Sequence, residues 1–432
     1  MNLETSDRLS TTSWSATASV AAYARRVHAA LGRRHVATSP LGAYLLLAMI
    51  APLTTGPERA EIERVLGGSV EETSRWLAEL LARPHPAVAT AVACWHERRF
   101  ESDGLSHWMR SLPKAIERGA IPDRAAADRW VRDATNGLID RLPVAIDPWS
   151  ALLLVSALTT AVKWDTPFWN YESKRLDDAA WTQGVSLLLW AYCNGNEAIV
   201  RTKAAGLVAV QVATSAKGLV VASVIADPQL EPGRVIEAAY EVAAMRLDLP
   251  SPATRVSLYD LPLGRGHAWD LVEKTFESRK RNVRRQSAKI VMPAWKMELT
   301  KHDLLAEPAW GMRPAVRSLQ TVLPASGKGS RIDVKQAVRA AFNTTGFTAS
   351  AVTAAIMPGA KRGLETEMYR AVERHATIQF SRPFAVVACT SHPKTKDRSP
   401  VWNALKPRSA RWTGLPVFTA WVTEWAEAEE RD

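Results

Sequence analysis

The stretch Thr344-Thr345-Gly346-Phe347-Thr348-Ala349-Ser350-Ala351-Val352-Thr353-Ala354-Ala355-Ile356-Met357 says most about the architecture of this chain. It is built almost entirely from small residues. It lies between an apolar segment, 338–342, and a basic segment, 358–363. A surface loop usually contains more charged residues, and a core strand usually contains larger side chains. The composition is therefore typical of a segment that is a loop in one state and a buried strand in another.

Period-two alternation assigns the two faces of this segment when it is extended. One face contains Phe347, Ala349, Ala351, Thr353 and Ala355, which are small except for the first. The other face contains Thr348, Ser350, Val352, Ala354 and Ile356. Small inward side chains allow a strand to enter between two existing strands without overpacking.

The stretch resembles the hinge of the reactive-centre loop in serpins, and other segments resemble serpin motifs in family order. These segments are Thr38-Ser39-Pro40-Leu41, Trp130-Val131 with Thr135-Asn136-Gly137, 153–158 with Lys163-Trp164, 290–296, and 380–384 with Leu415-Pro416-Val417-Phe418. These segments span residues 38–418, and the resemblance as a whole extends over roughly 15–425. The chain is thus similar to a divergent, bacterial-type member of the serpin family. The resemblance implies an α+β serpin fold with a large mixed β-sheet, smaller sheets, about nine helices and an exposed reactive-centre loop.

Length and composition agree with one large domain. The chain has 432 residues, is 47% hydrophobic and lacks a Gly/Ser linker or a repeat, so it can bury one sizeable core. We expect a polar tail at 1–13, a single serpin domain at 14–426 and a C-terminal tail at 427–432. The reactive-centre loop is placed at about 343–370, and an insertion in the last hairpin at about 391–412.

The N-terminus is polar, and no segment has the length of apolar sequence that a membrane span needs. We therefore expect a soluble, cytoplasmic monomer. The three cysteines, Cys94, Cys193 and Cys389, are odd in number and far apart, which argues against a disulfide framework. Buried free thiols are the favoured interpretation.

The net charge of +11 favours acidic partners. The densest basic patch contains Arg279, Lys280, Arg281, Arg284 and Arg285, and it is a candidate polyanion site. A solvated surface is the simpler interpretation. The 17 tryptophans are dispersed, so we expect most of them to fill the core instead of forming a base-stacking platform.

The resemblance implies a suicide inhibitor of a serine protease. In inhibitory serpins the protease cleaves the loop, and the cleaved loop enters the large sheet as an extra strand, which traps the acyl-enzyme. We expect the large sheet to leave a strand position vacant for the segment that starts at Gly346. The inhibitor itself supplies no catalytic residue, and we expect no metal or cofactor.

Counting from Gly346 as in the family places the reactive bond at Ala360, Lys361 or Arg362, with Lys361 favoured. A basic residue there would suit a trypsin-like or subtilisin-like protease. An ordinary solvated loop tip is the alternative. The hinge residues implied by the family are Gly346, Phe347, Thr348, Ala349, Ala351 and Thr353.

Several residues depart from the family pattern. Phe347 stands where the family has a small residue or Thr, so it could overpack the sheet at a cost of about 1–3 kcal/mol, or lock the loop in or out. If Phe347 overpacks the sheet, Phe347→Thr should speed insertion of the loop. The shutter and breach positions Ser39 and Trp164 are retained. Ser156, Gln336 and Gly42 replace other polar residues of the family, and Gln336 can both donate and accept hydrogen bonds.

These departures leave a second class open. A non-inhibitory serpin fold could act as a ligand-binding or partner-binding protein, or as an unusual enzyme of a specialised biosynthetic pathway. A nucleic-acid role is the least favoured, because no zinc spacing or aromatic–basic interleaving is evident in the sequence.

Overall fold

The structure is a computed structural model that describes residues 14–142, 146, 150–171, 176, 187–324, 331–347, 369–394 and 411–425. Eight α-helices lie in these ranges. They are α1 Ala16–Leu31, α2 Pro40–Ile50, α3 Gly56–Leu66, α4 Val70–Leu81, α5 Asp103–Ser111, α6 Arg124–Ala134, α7 Pro232–Arg246 and α8 Met312–Val322.

Helix starts follow the local sequence. Ser39 caps α2 by accepting a hydrogen bond from the Gly42 amide, and Pro40 occupies the first helical position. Ser69 and Glu72 form a reciprocal capping box at the start of α4. Every residue of α2 is buried, which explains its continuous apolar sequence.

The sequence pattern suggests a helix over 128–141, but the helix α6 spans Arg124–Ala134. Asp123 caps its start by accepting from the Ala126 amide. The helix stops early because Asn136 and Gly137 adopt positive φ angles of 54° and 76°. The sequence pattern places the C-terminal end of this helix too late, because it includes the Asn136-Gly137 pair.

Twenty strands lie in the described residues. They are β1 Val36–Thr38, β2 Ala89–His96, β3 Glu117–Ala120, β4 Ser150–Thr159, β5 Val162–Lys163, β6 Trp169–Tyr171, β7 Leu188–Asn194, β8 Ile199–Thr202, β9 Gly206–Ser215, β10 Leu219–Ile225, β11 Thr254–Arg255, β12 Gly264–Arg265, β13 Trp269–Ser278, β14 Arg284–Pro293, β15 Trp295–Asp303, β16 Arg331–Phe342, β17 Gly346–Phe347, β18 Tyr369–Gln379, β19 Phe384–Thr390 and β20 Pro416–Val422.

The strands form three sheets. The hairpin sheet has the order β1-β20-β19-β10-β9-β8-β11, and the basic sheet has the order β12-β13-β18-β14-β7-β6. The hinge sheet has the order β3-β2-β4-β16-β17-β5, and β15 also pairs with β16. The expected α+β serpin architecture, with one large mixed sheet and smaller sheets, is confirmed by this arrangement and by the structural comparisons below.

The hinge sheet lies between two apolar layers. Leu152, Leu154 and Leu158 of β4 face the main core, whereas Leu153 and Val155 face α6. All ten residues of β4 are buried, and a strand covered on both faces requires a continuous apolar sequence. The small-residue stretch 344–357 begins at the edge of this buried strand pair.

No helix in the described part of the chain is long and apolar enough to cross a membrane.

Candidate functional site

The two hinge residues Gly346 and Phe347 form the short strand β17. It lies between the last residue of β16 and the strand β5. Phe347 pairs with Phe342 on one side and with Val162 on the other, and both pairings are antiparallel. The first two residues of the predicted hinge therefore already occupy a strand position at one end of the hinge sheet.

A tight turn at 343–346 leads into this strand. The Asn343 side-chain oxygen accepts hydrogen bonds from the amides of Thr345 and Gly346, at 3.0 and 2.9 Å. Trp164 binds the turn twice, through its amide to the Thr345 carbonyl and through its indole N–H to the Asn343 carbonyl. The amide of Phe168 donates to the Thr344 carbonyl at 2.8 Å. The turn is thus attached to both sides of the strand position.

Gly346 is required by close backbone approach. A Cβ atom at this residue would lie 2.1 Å from the carbonyl oxygen of Val162. Any other residue would push β17 away from β5.

Phe347 is fully buried in an aromatic cluster. Its ring centroid lies 5.9 Å from that of Trp295, 6.0 Å from Phe418 and 6.2 Å from Trp164. Phe342 packs against Trp164 at 4.9 Å. We call Trp164, Phe168, Trp295, Phe342, Phe347 and Phe418 the aromatic cluster.

Centroid distances of 5–6 Å are ordinary for packed aromatic pairs, so the cluster accommodates Phe347 without crowding. Of the two effects expected from the sequence, overpacking or locking, the geometry favours locking. Phe347 fastens the start of the loop inside the sheet.

Below the hinge, β4 and β16 pair directly and in parallel. Their register runs from Ile332 opposite Leu152 to Val338 opposite Leu158. We call this contact line the seam. The expectation of a vacant strand position here is wrong for this form of the protein, because the seam is closed by its own backbone ladder. Among the described residues, a strand lies between β16 and β5 only at the top, where β17 pairs with both, and below it β4 and β16 pair directly.

The middle of the seam contains a polar clamp. Gln336 of β16 accepts a hydrogen bond from the Ser39 amide at 3.1 Å and donates one to the Ser39 carbonyl at 2.7 Å. Both residues are buried. The clamp ties β16 to the start of α2, and it realises the hydrogen-bonding role expected for Gln336.

Gly42 provides the space for this clamp. A Cβ atom there would lie 2.8 Å from Nε2 of Gln336 and 3.0 Å from Oγ of Ser156. The loss of a side chain at Gly42 thus compensates for the larger side chain of Gln336. Ser156 is buried opposite Gln336, and its hydroxyl has no hydrogen-bond partner among the described residues.

The lower end of the seam is held by a charged group. The Ser150 hydroxyl donates to the carboxylate of Asp333 across the two strands at 2.5 Å. Arg331 donates to the same carboxylate at 3.0 Å, and Asp333 is only 2% exposed. Sequence reasoning missed this group and the contacts of Phe347 with Trp295 and Phe418, because these residues lie far apart in the chain. Asn343 lies only two and three residues from the amides that it binds, so its preference for turns was the available signal.

Comparisons with known proteins agree with this geometry. A family model described as Serpin (serine protease inhibitor) matches residues 17–176. Plasminogen activator inhibitor 1 of Mus musculus is 29% identical over 150 residues, which cover 31% of this chain and 37% of that protein.

Solved structures extend the likeness to nearly the whole chain. The native state of Tengpin, a thermophilic serpin, has a TM-score of 0.59 at 15% identity and covers 94% of each chain. Human thyroxine-binding globulin in complex with thyroxine also has a TM-score of 0.59, at 11% identity, and covers 95% of this chain and 97% of that one.

Residues 17–176 thus match the serpin family model, and the described residues have the serpin fold. The sequence match covers only about a third of the curated relative, and the structural likeness shows the fold alone. The serpin fold therefore places the seam and hinge in a known architecture, whereas the activity of this protein has to be argued from its own residues.

Much of the expected reactive-centre loop lies outside the described residues. Thr348, Ala349, Ala351, Thr353, Ala360, Lys361 and Arg362 fall there, as does most of the expected insertion at 391–412. The reactive bond and the lower hinge therefore remain predictions.

The five residues of the basic patch are exposed at one end of the basic sheet. Arg279, Lys280 and Arg281 lie in the turn between β13 and β14, and Arg284 and Arg285 begin β14. Arg285 packs over the ring of Phe276 at 4.4 Å. Their role toward a polyanion remains a prediction.

The three thiols are free. Burial raises the pKa of Cys94, Cys193 and Cys389 to about 12. Such thiols stay protonated at neutral pH and are poor nucleophiles. The described residues contain no group of three or more His, Cys, Asp or Glu placed to hold a metal ion.

A second feature is a cavity of about 270 Å³ between α7 and the hairpin sheet. Leu230, Val235, Pro383 and Trp421 supply apolar walls, and Arg33, Arg382 and Asp227 supply the charged groups of the lining. The guanidinium of Arg382 donates to the carbonyls of Ala226 and His267.

Proposed function

We propose that this serpin is a suicide inhibitor of a serine protease, which it traps by inserting its cleaved loop into the hinge sheet. The observation that supports this most directly is the position of β17. The loop starts inside the sheet, at the head of the seam that a further strand would have to enter.

The register of β17 makes the proposal specific. Continuing the pairing of Phe347 with Phe342 and Val162 without a bulge would place Ala349 opposite Ala340 and Ala351 opposite Val338. Thr353 would then lie between Gln336 and Ser156, which face each other across the seam. The unpaired hydroxyl of Ser156 would gain a partner of matching chemistry.

The side chains on the inserted face would suit a narrow space. Phe347 faces the main core, so the residues at 349, 351, 353 and 355 would face it as well. These are Ala, Ala, Thr and Ala. Insertion would replace one backbone ladder between β4 and β16 by two, which supplies the driving force. The closed seam makes the starting state a kinetic trap.

Mixing the protein with trypsin or with subtilisin and running a denaturing gel tests the proposal. We expect a covalent complex that survives denaturation. A protease whose active-site serine has been blocked should give none, because no acyl-enzyme forms. Lys361→Ala and Arg362→Ala, tested separately, should identify the reactive bond. Ala351→Glu places a charge on the inserted face and should convert the inhibitor into a substrate. Cleavage of the parent protein without a higher band would reject the inhibitor function.

Specificity for a trypsin-like or subtilisin-like protease, the monomeric state and the cytoplasmic location belong to the same proposal. The dibasic pair at 361–362 supports the specificity.

A second function, transport of a small molecule, is supported by one observation. The cavity beside α7 combines apolar walls with Arg33, Arg382 and Asp227, which suits an amphipathic ligand. Human thyroxine-binding globulin, whose solved complex contains thyroxine, has the same fold. An environment-sensitive anionic dye such as anilinonaphthalene sulfonate should bind the native protein, and Leu230→Trp, which fills the cavity, should abolish binding. Dye binding that Leu230→Trp leaves unchanged would reject this site.

A further inference from the structure

One face of the basic sheet presents aromatic rings to solvent. Trp169 is 44% exposed and Tyr192 is 63% exposed, and they are the only exposed large aromatic residues among the described ranges. They lie on adjacent strands, β6 and β7, on either side of Trp190. The Trp169 and Trp190 rings are stacked with centroids 6.0 Å apart and planes at 25°. Tyr192 packs edge-on against Trp190 at 5.2 Å.

Strand pairing produces this arrangement. Trp169 lies opposite Trp190, and Tyr192 lies opposite Lys289 of β14. Because side chains alternate between faces, Trp190 and Tyr192 point outward while Leu189 and Ala191 pack into the main core. The rings therefore stand on a rigid support, so a ligand that stacks on them would order few side chains on binding.

Cations lie among the rings. The ammonium group of Lys289 lies 4.7 Å from the ring centroid of Tyr171 and 5.0 Å from that of Trp190. Arg285 lies on the same face of β14, four residues earlier, next to the basic patch. The sheet segments 264–293 and 369–379 contain ten Lys and Arg residues against four Asp and Glu residues. Glu373 is one of the acidic residues on this face, where it accepts a hydrogen bond from Ser287.

We propose that this face binds single-stranded nucleic acid, with bases stacked on Trp169 and Tyr192 and phosphates held by Lys289, Arg285 and the basic patch. Each base has a π-face that can stack on a ring, and each phosphodiester carries a negative charge. This ligand therefore matches both the exposed aromatic rings and the positive charge of the surface. A sheet that displays aromatic rings for two or three bases is an established solution for RNA and DNA. An acidic polysaccharide would use the cations and leave the stacked rings without a matched partner. The proposal is independent of protease inhibition, because none of these residues lies in the hinge sheet.

Fluorescence anisotropy with two labelled probes tests the proposal on the full chain. One probe is oligothymidine of about 12 nucleotides, and the other is an abasic strand of the same length and charge. We expect oligothymidine to bind at least about fivefold more tightly than the abasic strand at low salt. Tyr192→Ala and Trp169→Ala should each weaken oligothymidine binding by about five- to 100-fold. Both should leave the abasic probe unchanged, and Tyr192→Phe, which keeps the ring, should bind like the parent.

Charge variants separate the phosphate contacts. Lys289→Ala should weaken both probes and lower the slope of log affinity against log salt by about 0.7 for each lost phosphate contact. Arg255→Ala, an exposed basic residue on the hairpin sheet, is the matched control and should change nothing. Thermal melts check that each variant is folded, and Tyr192→Ala decides the outcome if Trp169→Ala is unstable.

Equal affinity for the two probes, unaffected by the ring variants, would overturn the proposal and assign the face to polyanions in general, including acidic polysaccharides. Absence of binding to both probes at low salt would also overturn it.

Discussion

At the top of the seam the loop is held by ring contacts around Phe347, whereas in the middle β16 is held by the hydrogen bonds of Gln336. The top is apolar and already contains an inserted strand. The middle is polar and closed by direct pairing. The stabilisation from apolar contacts is roughly proportional to the buried area, so it tolerates small shifts of the side chains. The stabilisation from a buried hydrogen bond depends on the distance and angle between donor and acceptor. The attachment at the top of the seam is therefore tolerant of small shifts, whereas the attachment in the middle depends on hydrogen-bond geometry.

The largest expected effect comes from cleaving the loop. The cleaved loop would then extend as one strand from the aromatic cluster at the top of the seam past Gln336 in its middle. If the loop is cut between residues 358 and 363, it should fill the seam and raise the thermal midpoint by on the order of 10 °C. The measurement is a melting curve of intact and cleaved protein. Cleaved Ala351→Glu should show no such rise, because a charge on the inserted face blocks entry. An unchanged thermal midpoint for the cleaved parent would mean that the loop does not continue from β17 into the seam.

The next effect concerns the top alone. Phe347→Ala removes a fully buried ring and should lower the free energy of unfolding by about 3–5 kcal/mol, whereas Phe347→Leu should cost about 1 kcal/mol. Denaturant unfolding measures both. A loss below about 1 kcal/mol for Phe347→Ala would show that the ring is outside the cluster in solution.

Phe347→Thr distinguishes locking from overpacking. If the ring overpacked the sheet, this variant would insert faster than the parent. The aromatic cluster leads to the opposite expectation, since loss of the ring releases the hinge from the sheet. We therefore expect slower insertion and more inhibitor consumed per protease molecule trapped, measured by titration of residual protease activity.

A smaller effect tests the middle. Gly42→Ala should destabilise the protein by about 1–3 kcal/mol, because the added methyl group meets the Gln336 amide. Gln336→Ala leaves the buried Ser39 amide without its partner, at a cost of about 1–3 kcal/mol, whereas the Ser39 carbonyl keeps the hydrogen bond from the Ala43 amide. In the double variant the methyl group enters space that the amide has left. The two losses should thus be less than additive by about 0.5–3 kcal/mol. Strict additivity would show that Gly42 does not make room for Gln336.

The smallest effect is expected at Ser156. Its hydroxyl has no partner among the described residues, so Ser156→Ala should be neutral or stabilise the intact protein by up to about 1 kcal/mol. The cleaved form should lose stability in the same variant, because insertion would place Thr353 beside this hydroxyl. Equal effects in both forms would contradict the register derived from β17.

The sequence was sufficient for features whose signal is local. The fully apolar β4 follows from composition and periodicity. Gly346 and Phe347 form a strand, and the role of this segment as a hinge stays a prediction. Buried thiols were also predicted correctly for Cys94 and Cys389.

Features that combine distant residues were beyond the sequence. Phe347 meets Trp164, Trp295 and Phe418 only after folding, so the cluster could not be recognised, and Phe347 looked like an obstacle. The compensation between Gly42 and Gln336 depends on one side chain occupying space left by another.

The exposed rings are a further case. The expectation that most tryptophans are buried holds for Trp295, Trp310 and Trp412, but Trp169 is 44% exposed. Trp169 lies beside Trp190, and Trp190 lies beside Lys289, because of the order of three strands in the basic sheet. Aromatic–basic interleaving thus exists in space although it is absent along the chain.

The turn at Asn343 has a mechanical consequence. Its carbonyl groups accept hydrogen bonds from Trp164 and Phe168, which lie on the β5 side, whereas Asn343 directly follows β16. The turn therefore links the two sides of the strand position that β17 occupies. A force applied to the loop is therefore distributed over both β16 and β5, and it does not separate them at their upper end. If the cleaved loop inserts as proposed, β4 and β16 would therefore separate first below Phe347, and the position of Phe347 would set the register of every later residue.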